Sequence, residues 1–198
     1  MSNEIGQTFV FFGTVGSGKG TQVKLLMGYL KNKDGKNCLY AYPGNEFRKI
    51  IDSNTYTASL MKDSVSRGEL QPGFFPDAIV ANMLINSLTE DSHLITDGYP
   101  RAIPQSQTFE AMMKWYKRND VKIIYIEVGN GEAMKRNLLR GRHDDTPLGI
   151  EQRFNEYVNQ VIPAMNYFKD KLGYTILTIN GEQTVENVHK DIIKALGY

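Results

Sequence analysis

The chain has 198 residues, of which 41% are hydrophobic and 23% charged, a composition typical of one globular domain and not of a disordered or fibrous protein. Lys plus Arg (23) nearly balances Asp plus Glu (22), so bulk charge does not favour nucleic acid or a membrane as a partner. The single cysteine, Cys38, excludes an intramolecular disulfide and a zinc site built from a cysteine cluster. Together with an N-terminus that lacks a basic region, these observations predict a cytosolic protein without a membrane span.

Five short apolar runs alternate with helical patterns along the chain. The runs predict strands at 8–12, 38–42, 93–96, 121–128 and 174–179. Their near-continuous apolar character indicates burial on both faces, and the alternation with helices predicts an α/β fold with a parallel doubly wound sheet. The helical patterns lie at 20–33, about 45–66, 77–88, 105–118, 131–140, 148–172 and 185–196.

A glycine-rich loop, GTVGSGKGTQ at residues 13–22, directly follows the first predicted strand. It meets the G-x-x-x-x-G-K template of phosphate loops in the strand, loop and helix context that the template requires. Glycines let backbone N–H groups point at phosphate oxygens, and Lys19 supplies a charge for the β and γ phosphates. The loop therefore predicts an ATP site that contains Gly13, Gly16, Ser17, Gly18, Lys19, Gly20 and Thr21.

Gly20 stands where the general template has the Ser or Thr that binds magnesium. With its GKGTQ sequence, the loop resembles that of the nucleoside monophosphate kinases, adenylate kinase above all. The family has a proline at the position of Val15 in this chain. The resemblance implies a single P-loop NTPase-type domain over residues 1–198 with a five-stranded parallel sheet. It also implies a helical acceptor-binding insert at about 43–73 and a short lid at about 140–150.

The segment DGYPR, which follows the third predicted strand, resembles the D-G-F/Y-P-R segment of the same family. A carboxylate at this position can hold Mg²⁺ through water, and an arginine offers a planar fork for phosphate oxygens. The resemblance assigns Asp97 to the magnesium ion. It places in the AMP site Gly98, Tyr99, Arg101 and Gln105, with Gln105 opposite the base.

Two upstream segments, at 44–48 and 68–72, resemble the T-G-D-x-x-R and G-x-L-V-P segments of the family. They depart from those patterns at Pro43, where the family has threonine, and at Gln71, where it has a small apolar residue. Arg48 and Glu69 also admit an interpretation as solvated helix charges. The resemblance adds to the AMP site Pro43, Arg48, Glu69, Leu70 and Gln71.

The segment RNLLRGRHDD at 136–145 resembles the arginine-rich lid of the family in its short form, which has no zinc site. Arg136 and Arg140 are spaced i and i+4, so they share one helix face. The resemblance assigns Arg136, Arg140 and Gln183 to ATP, and it assigns Asp144 and Asp145 to lid closure. It also implies a catalytic set: Lys19, Arg101, Arg140, Arg142 and Arg153. Two of these, Arg142 and Arg153, are assigned to the AMP site as well.

The resemblance implies magnesium-dependent, in-line transfer of a phosphoryl group from ATP to AMP, giving two ADP, by a monomer. One alternative is UMP/CMP kinase or another monophosphate kinase. Pro43 and Gly44 after the second strand resemble thymidylate kinases, but those enzymes lack the combination of DGYPR and R-x-D-D. A nucleotide sensor or scaffold without turnover is an alternative from another class. A P-loop ATPase or GTPase switch is a third, although it would favour Ser or Thr directly after Lys19.

Overall fold

The fold was obtained as a computed structural model, which describes residues 5–66, 69, 71–140 and 147–198, apart from the side chains of residues 66, 140, 147 and 148. Five strands form one sheet: β1 Thr8–Phe12, β2 Cys38–Ala41, β3 His93–Asp97, β4 Val121–Glu127 and β5 Tyr174–Asn180. Their order is β2-β3-β1-β4-β5, and all neighbouring strands are parallel. The predicted α/β fold with a five-stranded parallel sheet is confirmed.

The described helices cover both faces of the sheet. They are α1 Lys19–Asp34, α2 Pro43–Ile51, α3 Tyr56–Ser66, α4 Phe74–Ser87, α5 Ile103–Trp115, α6 Asn130–Arg140, α7 Pro147–Glu156, α8 Ile162–Asn166 and α9 Val185–Ala195, with a π-helical stretch at Tyr157–Val161. No helix in these ranges is long and apolar enough to cross a membrane.

Two helical predictions differ from the structure, and local hydrogen bonds give the reasons. The pattern at 45–66 is two helices, because the hydroxyl of Ser53 donates to the Ile50 carbonyl at 2.6 Å and Thr55 Oγ1 accepts the N–H of Ala58 at 3.2 Å. These bonds end α2 and cap α3. The pattern at 148–172 is interrupted before Pro163, which has no N–H to donate, and regular helix ends at Asn166.

The core consists of two apolar layers, one on each face of the sheet. Phe9 and Phe11 of β1 pack in the layer that contains Leu26 and Ile192 of α1 and α9. The alternate residues of β1 pack in the opposite layer with α4, α5 and α8. Because both faces are covered, β1 lies in the centre of the sheet with every residue buried. The loop that follows β1 therefore starts from a rigid position.

The order of the strands brings two sequence motifs to one edge. β1 and β3 are neighbours, with Phe11 in register with Asp97. The glycine-rich loop leaves the carboxyl end of β1, and the DGYPR segment leaves the carboxyl end of β3. Ligands of doubly wound sheets bind at this edge, where connections from adjacent strands go to opposite faces.

Candidate active site

The loop between β1 and α1 closes around the ammonium group of Lys19. Its Nζ donates to the carbonyl of Gly13 at 2.7 Å and to that of Thr14 at 2.9 Å. Gly13, with φ at 148°, has no space for a side chain, because a Cβ would lie 2.7 Å from the carbonyl oxygen of Ile126. The loop thus packs on β4, and the charge of Lys19 lies within it, at the start of α1.

Asp97 lies beside this loop at the end of β3. Its side chain is buried, with 5% of its surface exposed, and a Cβ on Gly20 would lie 4.0 Å from its Oδ2. The hydroxyl of Tyr40 donates to the same Oδ2 at 3.0 Å. Burial and the charge of Asp97 raise the pKa of Tyr40, so Tyr40 keeps the proton that it donates.

Tyr40 was missed in the sequence analysis. The available signal was the pair of tyrosines two positions apart at the end of β2, since residues i and i+2 of a strand share a face. Their rings stack with centroids 5.7 Å apart and planes 7° apart. The Arg48 guanidinium lies 5.5 Å from the centroid of the Tyr42 ring. A chain of contacts therefore joins Asp97 to Arg48 through Tyr40 and Tyr42.

Arg101 and Gln105 form a compact unit after β3. The backbone N–H of Arg101 donates to Oε1 of Gln105 at 2.8 Å, and Nε of Arg101 donates to the Gly98 carbonyl at 2.8 Å. Gln105 is buried, and a Cβ on Gly73 would lie 3.8 Å from its Nε2. Since an N–H must meet an oxygen, the bond with Arg101 fixes which way the amide of Gln105 is turned.

Tyr99, between Gly98 and Arg101, is a core residue. Its side chain is 1% exposed, and its hydroxyl donates to Oδ1 of Asp77 at 2.6 Å. Burial, followed by the bond to Asp77, raises the pKa of Tyr99. These contacts anchor the DGYPR segment to α4.

The predicted acceptor residues upstream are held by neighbours within the insert. Pro43 is buried at the start of α2, and Nη2 of Arg48 donates to Oδ1 of Asn45 at 2.6 Å. Nε2 of Gln71 donates to the hydroxyl of Ser64 at 2.7 Å. Glu69 is exposed, and its N–H donates to the carbonyl of the same serine at 3.1 Å. Leu70 lies outside the described residues.

Helix α6 contacts two loops at the carboxyl edge of the sheet. Arg136 donates through Nη1 to the Gly181 carbonyl at 2.9 Å and through Nε to Glu132 at 2.7 Å. The next residue, Asn137, donates from Nδ2 to the carbonyl of Val15 in the phosphate loop at 2.9 Å. Asn137 was also missed; its signal was an amide in helical register with Ala133, on a face expected to pack against the protein.

The remaining predicted residues are described only in part. Gln183 donates from Nε2 to the Asn180 carbonyl at 3.0 Å and to Oδ2 of Asp191 at 2.8 Å, so its amide packs against α9. Arg153 donates from Nε to the Gly149 carbonyl at 3.1 Å. Outside the described residues lie Arg142, Asp144, Asp145 and the side chain of Arg140.

No group of three or more His, Cys, Asp or Glu side chains that could hold a metal occurs within residues 5–66, 69, 71–140 and 147–198. Asp97 is the predicted carboxylate at the phosphate loop, and its oxygen accepts a bond from Tyr40. The arrangement thus combines a loop suited to phosphate, a buried carboxylate beside it and Arg101 on the adjacent connection.

Comparisons with known proteins found similar sequences over most of the chain. The family model described as "Adenylate kinase" matches residues 11–172. An adenylate kinase of Prochlorococcus marinus (strain AS9601) is 31% identical over 186 residues, which are 92% of this chain and 94% of that protein. An adenylate kinase of Bacteroides fragilis (strain ATCC 25285) is 31% identical over 94% of this chain and 96% of its own length. Adenylate kinase 1 of a Nostoc species is 28% identical over 95% and 97%, respectively.

Proposed function

The chain belongs to the adenylate kinase family, and from that premise we propose how its candidate active site transfers a phosphoryl group. Membership makes the chain a nucleoside monophosphate kinase, an ATP:AMP phosphotransferase that forms two ADP. The family, enzyme class and reaction predicted from the sequence are thereby confirmed. The observation that carries the residue roles below is the register of Phe11 with Asp97, which places the phosphate loop beside the DGYPR segment.

On the donor side, we propose that ATP binds with its phosphates in the phosphate loop. The N–H groups from Gly16 to Thr21 surround the phosphates, and Lys19 exchanges its bonds with the Gly13 and Thr14 carbonyls for phosphate oxygens. That exchange is supported by the position of Nζ, which is already inside the loop. Arg136 and Gln183, near the 180–182 turn, flank the donor adenosine.

The residues at the loop fit a magnesium ion that keeps several waters. Gly20 provides no side-chain oxygen ligand, whereas Asp97 offers a buried carboxylate within reach of the same space. Mg²⁺ commonly takes one or two carboxylates together with phosphate oxygens and water. When bound there, the ion would neutralise charge on the β and γ phosphates of ATP. We propose that Asp97 holds it through water and that Tyr40 orients Asp97.

On the acceptor side, Arg48 and Arg101 bind the AMP phosphate and Gln105 selects the base. Oε1 of Gln105 accepts from the Arg101 N–H, so the NH₂ group is the part of this amide that remains to donate. Adenine N1 accepts a hydrogen bond, whereas the N1–H of guanine and hypoxanthine donates one. A donor at this position favours AMP over GMP and IMP. Pro43, Glu69, Leu70, Gln71, Gly98 and Tyr99 complete the proposed acceptor pocket.

The lid residues act by charge and by excluding water. We propose that Arg140, Arg142 and Arg153 surround the transferring phosphoryl group and that Asp144 and Asp145 pair with arginines when the lid closes. No covalent intermediate is required, because the AMP phosphate oxygen attacks the γ phosphorus directly while the oxygen that bridges to the β phosphate leaves. Lid closure prevents hydrolysis of ATP by water. The enzyme is proposed to act as a cytosolic monomer without zinc, in agreement with its single cysteine.

A coupled assay with MgATP and each nucleoside monophosphate in turn tests this function. We expect AMP to give the highest kcat/KM and turnover to require a divalent cation. A higher kcat/KM for UMP, CMP or dTMP would contradict the acceptor assignment. A molecule with two adenosines joined by five phosphates should bind and raise the Tm, because it occupies both sites of the folded state. Nucleotide binding without turnover of any monophosphate would favour the sensor alternative.

A further inference from the structure

Asn137 is a buried amide in a helix that leads from the sheet to the predicted lid. Its side chain is 1% exposed, and Ala133, one turn earlier on α6, is 3% exposed. Asparagine is a poor residue for a helix interior and is seldom fully buried, because its amide loses hydrogen bonds to water. The packing of α6 alone would be satisfied by an apolar side chain of similar size.

The amide of Asn137 instead contacts the phosphate loop. Nδ2 donates to the carbonyl of Val15 and to that of Ala133, each at 2.9 Å. Since both partners are carbonyl oxygens, this atom must be the nitrogen of the amide. The bond to Val15 joins residues 122 positions apart in the chain, so it belongs to the tertiary structure and not to the helix.

The backbone of the loop lies directly against α6 at the next residue. Gly16 has φ at 86°, and a Cβ there would lie 2.7 Å from the Ala133 carbonyl oxygen and 2.9 Å from Nδ2 of Asn137. The loop and the helix thus approach too closely for a side chain or water to separate them. Two independent features, the missing Cβ and the amide bond, join the same pair of segments.

The other atom of the amide obtains no benefit from this position. Oδ1 of Asn137 is buried and has no hydrogen-bond partner within the residues that the structure describes. Burying an acceptor without a partner destabilises the folded state. The unpaired oxygen therefore lowers the free energy of unfolding. Any benefit of an amide at this position must come from the hydrogen bonds that Nδ2 donates.

We propose that Asn137 is a positioning residue for ATP, which holds the peptide between Val15 and Gly16 in the orientation that phosphate binding requires. A trans peptide is planar, with its C=O and N–H pointing in opposite directions. By holding the Val15 carbonyl toward α6, Asn137 directs the Gly16 N–H away from α6, to the side where the donor phosphates bind. This inference rests on the proposed function, since it assumes that the loop binds ATP.

Pre-organisation of the loop has a consequence for one substrate only. Ordering a loop before binding removes an entropic cost from the ligand that uses the loop. ATP uses this loop, whereas AMP binds to the DGYPR segment and α2. Within the described residues, the side chain of Asn137 makes hydrogen bonds only to the carbonyls of Val15 and Ala133, which belong to neither of those two segments. The loss of the amide should therefore weaken ATP and leave AMP unchanged, whereas a residue needed only for folding would affect both.

The test compares Asn137→Leu with Asn86→Leu in the full chain. Asn86 makes the matching helical contact, from Nδ2 to the carbonyl four residues earlier at 2.8 Å, but it is exposed on α4. Dissociation constants for ATP and AMP are measured separately by calorimetry, with Tm alongside. For Asn137→Leu we expect the Kd of ATP to rise about tenfold, the size of one lost hydrogen bond. We expect the Kd of AMP to change by less than about twofold, which is within ordinary context effects.

Asn137→Asp provides a second variant of the same shape. It removes the donor and places a carboxylate beside the loop, so we expect it to weaken ATP more than Asn137→Leu does. In the wild type, the side-chain NH₂ protons of Asn137 should exchange slowly with solvent by NMR. Unchanged ATP affinity in Asn137→Leu, equal weakening of ATP and AMP, or rapid exchange of those protons would each overturn the proposal.

Lys19→Met in the same series separates this proposal from the function on which it rests. If Lys19→Met loses ATP affinity while Asn137→Leu keeps it, the phosphate loop binds ATP and only the role of Asn137 is wrong. If Lys19→Met changes neither the affinity for ATP nor kcat, the phosphate-loop function itself fails.

Discussion

The proposed donor and acceptor halves of the site are built by different means. The donor half is backbone: its loop is fixed between β1, β4 and α6 by contacts to Gly13 and Gly16 that leave no space for a side chain. The acceptor half depends on side chains, among them Arg48, Gln105 and the Tyr40 and Tyr42 pair. A phosphate group is bound by backbone N–H groups that must converge in one geometry, whereas a base can be bound by several different sets of side chains. Two departures from the family pattern, Pro43 and Gln71, fall in the proposed base pocket, whereas the departure in the loop, Val15, leaves its glycines and its lysine in place.

The largest effect is expected from a change in the donor half, Lys19→Met. It removes the charge on the β and γ phosphates, and we expect kcat to fall by about three orders of magnitude or more. The free energy of unfolding should change far less than kcat, because the fold loses only the bonds from the half-buried Lys19 to the Gly13 and Thr14 carbonyls. Lys24→Met, exposed on the same helix, is the control for loss of a lysine. Steady-state turnover near the wild-type value would refute the donor assignment.

Substitution of Gln105 probes the acceptor half. Gln105→Leu should chiefly raise the KM of AMP and reduce discrimination against other nucleoside monophosphates. The effect should be about 1 to 3 kcal/mol, because the adenine edge and the Arg101 N–H each lose a hydrogen-bond partner. It also removes the acceptor of the Arg101 N–H, so some loss of kcat is expected.

Gln105→Glu separates these two effects. Its carboxylate keeps an acceptor for Arg101 but has no donor for adenine N1, whereas it can accept the N1–H of IMP. We expect the ratio of kcat/KM for AMP to that for IMP to fall about tenfold or more. Repulsion from the phosphate is common to both nucleotides and cancels in the ratio. An unchanged ratio would show that Gln105 does not contact the base.

Tyr40→Phe tests the contact that joins the two halves. It removes the donor to Asp97 and retains the ring that stacks on Tyr42. We expect the free energy of unfolding to fall by about 1 to 2 kcal/mol, since a buried carboxylate loses a hydrogen bond. We expect kcat to fall less than about tenfold, because Asp97 itself remains.

Tyr29→Phe is the matched control for that change. Tyr29 belongs to another stacked pair, with Tyr198, whose centroids are also 5.7 Å apart. Urea unfolding of both variants measures the difference in stability. If both lose the same free energy of unfolding, the bond between Tyr40 and Asp97 contributes nothing beyond that of an ordinary tyrosine hydroxyl.

The same contrast explains what the sequence could predict. The phosphate loop and the DGYPR segment were predictable because the residues of each motif are contiguous in the sequence, and because Gly13, Gly16, Gly18 and Gly98 have positive φ angles that favour glycine. Tyr40 and Asn137 were not, because their partners, Asp97 and Val15, lie 57 and 122 residues away. The break between α2 and α3 was a local signal that the helical periodicity obscured: Ser53 and Thr55 make bonds typical of helix ends.

The smallest effect is expected at His93, which belongs to neither half because it begins β3 at the amino edge of the sheet. Its Nδ1 accepts the N–H of Gln7 at 3.0 Å, and its Nε2 lies 3.0 Å from Asp34. Burial lowers the pKa of His93; Asp34 favours the protonated form, while Lys36 and Arg118 oppose it.

In the unfolded chain, the imidazole of His93 binds a proton below about pH 6.5, whereas in the folded chain it binds that proton only at lower pH. The free energy of unfolding should therefore fall as the pH falls through that value, by up to about 1 kcal/mol per pH unit. His93→Asn retains an acceptor for Gln7 but does not titrate, so its unfolding free energy should depend less on pH between 7.5 and 5.5. Burial also lowers the pKa of His189. Both the wild type and His93→Asn contain His189, so its contribution cancels when their unfolding free energies are subtracted.

Since this edge is opposite the site, kcat and both KM values of His93→Asn should equal those of the wild type at pH 7.5. A changed KM for ATP alone would mean that the amino edge of the sheet acts on the donor half, and the two halves would then not be separable by position in the fold.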